Sequence, residues 1–246
     1  MKEFDFNKKD RLINLELLKY NLNSILYFVD MIYIINLKER KDRFKNVLDQ
    51  LTKFKVKNYK IYPGLKPNFN EINPMLYLNY STHLSINHRK YIIGATGCKL
   101  SHRNIIKEAM DMNYNYIMIL EDDFQFMPNF LSNLNNFIRK VNNLKWDMIY
   151  LGGNFKSKPI KDFCSNTKEK NIYKCKNISC THSYILRKNL FSKIYEELNT
   201  YPGEIDDYYV NNIQPFYSTY IYDPILITQT KSYSDILDKE TNYFNL

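Results

Sequence analysis

The chain has 246 residues, 44% of them hydrophobic, 15% aromatic and 25% charged. That is enough apolar material for one large α/β domain or two small ones, and it excludes wholesale disorder. The net charge of +9, from 35 Lys and Arg against 26 Asp and Glu, favours anionic partners such as nucleotide diphosphates. The basic residues are spread along the chain, with local clusters at Lys38 to Arg43 and Lys53 to Lys60. They form no single basic face interleaved with stacking aromatics, so no nucleic-acid partner is expected.

Residues 1–29 read as a helical N-terminal extension, because Leu12, Leu15, Leu18, Leu22, Ile25 and Leu26 recur at helical spacing. Met1-Lys2-Glu3-Phe4-Asp5 carries no signal-peptide pattern. The apolar stretch up to Leu37 is split by Asp30 and too short to span a bilayer. The expectation is a soluble chain with no transmembrane segment, cytoplasmic or of undetermined location, its catalytic domain over 30–246.

Met31-Ile32-Tyr33-Ile34-Ile35-Asn36-Leu37 is a continuous apolar run suited to a strand buried on both faces. It opens into a basic helix from Lys38 to about Phe54, with Phe44, Val47, Leu48, Leu51 and Phe54 as one stripe. A short strand at Tyr59 to Tyr62 follows, closed by Pro63-Gly64. Strand, helix, strand at this pitch opens a parallel α/β sheet. Pro67 to Arg89 is polar and Asn-rich, and reads as a loop with one short helix. Gly97 to Met112 reads as a helix and Tyr116 to Leu120 as a buried strand. Pro128 starts the next helix, with a stripe of Phe130, Leu131, Leu134, Phe137, Ile138 and Val141. Trp146 to Leu151 is a strand broken by Gly152-Gly153, and Lys156 to Lys170 a polar loop. Tyr184 to Leu186 ends a further strand, and Leu190 to Leu198 is helical.

The strand at Tyr116 to Leu120 stops abruptly at Glu121-Asp122-Asp123. In open α/β sheets the carboxyl edge of the strands is where ligands bind. Three adjacent like charges repel one another, and a divalent cation relieves the repulsion by taking them as oxygen ligands. The rival reading is a solvated acidic turn. Alternation along extended backbone would place Glu121 and Asp123 on one side and Asp122 on the other. The cysteines, Cys98, Cys164, Cys175 and Cys180, lack the two-residue spacing of zinc knuckles or redox motifs. Cys98 reads as a small core residue, and the other three could pair only in an oxidising compartment.

Several segments taken in order carry more than any one alone. Ile34-Ile35-Asn36-Leu37 is followed by Arg40 and Arg43, then Gly94, Gly97-Cys98 and Leu100-Ser101-His102. Leu120-Glu121-Asp122-Asp123 comes next, then Asp147 with Tyr150-Leu151-Gly152, Tyr184-Ile185-Leu186 and Ile205-Asp206. Pro224, Gln229 and Ser234-Asp235-Ile236 close the series. This ordered set, over residues 31–237, resembles glycosyltransferase family 25, which includes lipooligosaccharide and procollagen galactosyltransferases. The resemblance implies a GT-A type α/β fold, a mixed, mostly parallel sheet flanked by helices. It also implies an inverting, metal-dependent hexosyltransferase that moves a sugar, galactose in the named members, from a UDP-sugar donor. The implied acceptor is a glycan, a lipid-linked glycan or a hydroxylated protein.

Two departures stand out. Ala95 occupies a position where family members often carry an acidic residue. The first thirty residues, the loop 67–89 and the segment 156–171 have no counterpart, and the latter two lie where acceptor specificity is expected. A catalytically degenerate member that binds a nucleotide or glycan without transfer is the alternative. Glycoside hydrolysis by paired carboxylates leaves the basic first helix unexplained.

Mn²⁺ or Mg²⁺ takes oxygen ligands and neutralises charge developing on a leaving diphosphate. Asp123 is the leading metal ligand, with Glu121 or Asp122 contacting the donor or a metal-bound water; capping of the next helix is the rival role for Glu121. Asn36, in the opening motif, falls in the implied nucleotide-sugar site. Arg40 and Arg43 share a face near a helix start and could reach phosphates, or be solvated helix charges. His102 hydrogen-bonds either the donor or a core group. An inverting transfer needs a base to take the acceptor's proton. Asp206, in Gly203-Glu204-Ile205-Asp206-Asp207, is that candidate, with helix N-capping as the rival. His182 is either a late metal or phosphate ligand or a structural residue.

Overall fold

The computed structural model describes residues 28–73, 88–141, 143–154, 159–234, 236 and 239–241. The helical extension expected over 1–29 lies outside the described residues up to position 27.

The apolar run near the start forms β1 (Met31–Asn36), followed by α1 (Lys41–Lys53), β2 (Tyr59–Pro63), α2 (His88–Asp111) and β3 (Tyr116–Glu121). Then come β4 (Phe124–Phe126), α3 (Phe130–Val141), β5 (Met148–Tyr150), β6 (Cys164–Asn166), β7 (Ile172–Cys175) and β8 (Ser183–Arg187). The chain continues through α4 (Phe191–Glu197), α5 (Ile205–Tyr208), β9 (Thr219–Tyr222), β10 (Ile227–Gln229), β11 (Ser232–Ser234) and β12 (Lys239–Thr241). Among the described residues no helix is long and apolar enough to cross a membrane.

The main sheet has eight strands in the order β2-β1-β3-β8-β5-β9-β7-β6. β1 runs parallel to both β2 and β3, and β5 parallel to β9. β8 enters antiparallel between β3 and β5, and β7 lies antiparallel to β9 and β6. A separate ribbon pairs β10 with β4.

β1 as far as Ile35 and β3 as far as Leu120 are apolar because helices cover both faces of the sheet. Ile32, Ile34, Met118 and Leu120 pack with Val47 and Leu51 of α1 and Phe130, Leu134 and Phe137 of α3. Tyr33, Ile117 and Ile119 join Ile105, Ile106 and Ala109 of α2 and Phe191 and Ile194 of α4 in the second cluster. The two-residue alternation of a strand supplies both layers from one segment, each such side chain contributing about 1.5–3 kcal/mol.

Three elements differ from the sequence expectation. The helix expected from Gly97 already begins at His88. Gly94 and Gly97 lie inside it, where their missing side chains admit other segments. A Cβ on Gly97 would stand 2.2 Å from the Leu65 carbonyl oxygen, and one on Gly94 2.9 Å from Ile236. The segment expected as a polar loop holds β6, which pairs with β7 as an edge hairpin, its Cys164 and Cys175 opposite each other and buried. Pro128 lies in the turn before α3 instead of opening it. The loop 67–89 contains a short 3₁₀ turn at Phe69–Glu71; its residues 74–87 lie outside the described set.

Candidate active site

The register of the central strands assembles the site. β1 and β3 pair Ile34 with Leu120 and Ile35 with Glu121, so Asn36 and Asp122 leave the sheet side by side. Asn36 Nδ2 donates to Asp122 Oδ2 at 2.7 Å. From α1, Arg43 Nη1 donates to Asp122 Oδ1 at 2.6 Å and lies 3.4 Å from Asp123 Oδ2. Arg43 Nη2 and Arg40 Nη1 both donate to the Tyr233 carbonyl, at 2.9 and 3.1 Å. Arg40 also pairs with the exposed Asp42 at 2.9 Å. The two arginines thus tie α1 to β11 and, through Arg43, to the acidic turn. They are not merely solvated helix charges.

On the other side, the antiparallel register of β3 with β8 sets Leu120 opposite Ser183 and brings Thr181 and His182 to the acidic edge. Glu121 N donates to His182 O at 3.0 Å, and the Thr181 hydroxyl donates to Glu121 Oε1 at 2.7 Å. His102 Nε2 is 3.4 Å from the same oxygen. Its Nδ1 lies 2.6 Å from the Tyr184 hydroxyl, which is 3.1 Å from the Tyr209 hydroxyl.

The acidic triplet therefore divides differently from simple alternation. Extended backbone ends at Glu121, and Asp122 and Asp123 form a turn into β4. Asp122 and Asp123 share Arg43, whereas Glu121 turns toward Thr181 and His102. Gln229 Nε2 lies 3.4 Å from both oxygens of Asp123.

A cavity of about 470 Å³ brings together Arg43, His102, Glu121, Asp122, Asp123 and Asp206. Asn36 and Arg40 stand behind this lining and hold Asp122 and the Tyr233 carbonyl. Cys98, expected in the core, also lines the cavity. It sits one helical turn before His102 and so shares its face. Cys98, His102 and Glu121 each offer a ligand atom within 4.8 Å of the other two.

Burial raises Asp122, and raises Asp123 to about 7 with help from the Glu121 charge, although Arg43 opposes both shifts. Burial works against an ionised Glu121 too, but His102 and the Thr181 hydroxyl outweigh it and hold Glu121 below its ordinary value. With all three carboxylates ionised, Arg43 offsets one of the three charges.

Asp206 lies in the first turn of α5, and Glu204 occupies the N-cap position without a side-chain capping bond. Asp206 is therefore not at the N-cap, but its Oδ1 accepts from the Asp207 N–H at 3.1 Å, one of the first-turn donors that have no intrahelical partner. Burial and the charge of Asp206 push Glu204 to about 8. Burial and Asp207 raise Asp206. Lys99, buried on α2, donates to the carbonyls of Tyr201 and Gly203 at 2.8 and 3.1 Å and anchors the turn ahead of Glu204.

His182 takes the structural role. It is buried, its Nδ1 2.8 Å from Cys180 Sγ, and burial holds its pKa below the ordinary value. Thr181 and Lys99 carry no local sequence signal, since strand pairing and helix packing alone bring them here. Gln229 was marked only by its place in the ordered motif series.

A family model described as "Glycosyltransferase family 25 (LPS biosynthesis protein)" matches residues 29–209. Procollagen galactosyltransferase 1-B of Xenopus laevis is 30% identical over 131 residues, covering 50% of this chain and 21% of that protein. Procollagen galactosyltransferase 2 of Homo sapiens is 30% identical over 130 residues, covering 50% and 20%. A "Glycosyltransferase 25 family member" of Drosophila melanogaster is 28% identical over 131 residues, covering 50% and 21%. The chain spans about a fifth of the length of these curated relatives. Among solved structures, A197 from STIV aligns with a TM-score of 0.47 at 12% identity, covering 82% of this chain and 85% of that one. A glycosyltransferase involved in glycosylation of the major capsid of PBCV-1 aligns at 0.45 and 11% identity, covering 83% and 94%. From its first strand to the end of α5, the chain belongs to glycosyltransferase family 25.

Proposed function

We propose that this chain is an inverting glycosyltransferase that moves a hexose, galactose first, from a UDP-sugar to a hydroxyl of a glycan, lipid-linked glycan or protein. The observation that carries the reading is one cavity lined by the acidic triplet with Arg43 and by the Glu204–Asp206 pair. The names of the relatives support galactose and a protein acceptor, and the family description supports a lipid-linked glycan.

Asp206 is the proposed base. It takes the proton of the acceptor hydroxyl as that oxygen attacks the anomeric carbon, while the bond from that carbon to the diphosphate oxygen breaks. A carboxylate raised by burial is a stronger base than a surface one. Mn²⁺ or Mg²⁺ held by Asp123, with Glu121 as second proposed ligand, would neutralise charge on the departing diphosphate. Arg43 orients Asp122 and Asp123 and offers cationic charge toward the phosphates. Asn36 and Arg40 brace that wall, and His102 and Asp122 complete the proposed donor site.

Ala95, in the cavity lining where relatives often carry an acid, favours the second reading, a nucleotide- or glycan-binding module without transfer. Asp206→Asn separates the two. A base acts only as the proton moves, so donor affinity should stay near normal while transfer falls by roughly 10² to 10⁴. A wild type that binds donor and transfers to no acceptor supports the module. Transfer by Asp206→Asn at the wild-type rate moves the base to Asp207 or Glu204.

A further inference from the structure

Helix α2 presents Cys98 and His102 one turn apart to the end of β3, where Glu121 meets them within 4.8 Å. In a tetrahedral zinc site with bonds of about 2.0–2.3 Å, neighbouring ligand atoms stand roughly 3.3–3.8 Å apart. Small side-chain rotations would close this set around an ion.

Independent features point to a cation there. His102 is fully buried and its Nε2 has no hydrogen-bond partner; Glu121 Oε1 stands 3.4 Å from it. Its other nitrogen, Nδ1, lies 2.6 Å from the Tyr184 hydroxyl. With the proton on Nδ1, the Nε2 lone pair is free to face Glu121 and Cys98, and the ring is oriented as metal-bound histidines are, by a partner at the other nitrogen. Thr181 fixes Glu121 Oε1 at 2.7 Å, and the cavity supplies an entry path.

We propose that Cys98, His102 and Glu121 form a site for a borderline-soft divalent cation, Zn²⁺ foremost, which shares Glu121 with the oxygen-ligand position proposed at Asp123 and differs from it in its sulfur and imidazole ligands. Sulfur and imidazole favour Zn²⁺ over Mg²⁺ or Mn²⁺. Three protein ligands leave a fourth position facing the cavity, and the ion clamps α2 to the edge of β3. The inference goes beyond the transferase reading, and its test reads binding instead of turnover.

The test is titration of the metal-free full chain with Co²⁺, which shows an intense thiolate-to-cobalt charge-transfer band when sulfur coordinates it. The wild type should give that band, and Zn²⁺ should bleach it. Asp123→Asn and Cys180→Ser should keep it, and Cys98→Ser should lose it. Tyr184→Phe should keep the band but weaken affinity by about 10- to 100-fold. Zn²⁺ should raise the melting temperature of the wild type and not of Cys98→Ser. A wild type without the band overturns the site, whatever the variants do. So does a band that survives in Cys98→Ser, whose sulfur would then come from Cys164, Cys175 or Cys180. Mn²⁺-dependent turnover without the band sinks this site and leaves the transferase reading intact; the band without turnover does the reverse.

Discussion

The guanidinium of Arg43 donates to Asp122 at 2.6 Å, in the turn where β3 hands over to β4. Asp123 lies 3.4 Å from the same nitrogen. One cation from α1 therefore opposes, at two carboxylates, the rise that burial imposes.

Arg43→Met should accordingly strand both aspartates. Removing one partner of a buried pair destabilises by about 3–5 kcal/mol, and a drop of about 3 kcal/mol is expected in urea unfolding at pH 8. The part of the drop that comes from Asp123 should shrink below the value of about 7 to which it is raised, because a protonated carboxyl needs no counter-charge. An unchanged urea midpoint at pH 8 would contradict this arrangement.

Glu204 gives a second pH signature. Burial and the Asp206 charge raise it from 4.5 to about 8, so the folded state holds its proton more tightly than the unfolded chain. Its stabilising contribution is complete below about 4.5 and is lost as pH rises through about 8. Glu204→Gln cannot ionise. Its melting temperature relative to wild type should therefore be higher at pH 8 than at pH 5 by at least about 3 °C. An identical difference at both pH values would remove the carboxyl pair from the description.

The sequence was most legible where one segment carries its own signal. The run from Met31 needs no distant information to read as a doubly buried strand, and Val47 and Leu51 declare the inner face of α1. The acidic triplet announces a strand end because charge cannot continue into a buried sheet. Long-range pairing was less legible. The insertion of β8 between β3 and β5 is encoded in no local pattern, yet it brings Thr181 to Glu121. The three-way alternation of Glu121, Asp122 and Asp123 failed because the chain turns after Glu121. Cys98 packs against the second core cluster, as its apolar neighbours suggest, and the packing of α2 on the sheet edge brings it to the cavity lining as well.

Gly97 makes an opposite-signed prediction to ordinary helix propensity. In an open helix interior, Gly→Ala stabilises by about 1 kcal/mol. Here the new Cβ would stand 2.2 Å from the Leu65 carbonyl oxygen, and backbone must shift. Gly97→Ala should destabilise by roughly 1–3 kcal/mol, measured by urea unfolding. A stabilised Gly97→Ala would show that the loop at Leu65 does not pack on α2.

Nucleotide release from a panel of sugar nucleotides, UDP-galactose first, measured with Mn²⁺ and hydroxylated acceptors, bears on transferase activity itself. Wild type should release UDP in a metal- and acceptor-dependent manner, and Asp123→Ala should lose that release while still unfolding cooperatively. Release that persists in excess EDTA would remove the metal role. A folded wild type that releases no nucleotide from any donor, with any acceptor, would contradict glycosyl transfer at this site.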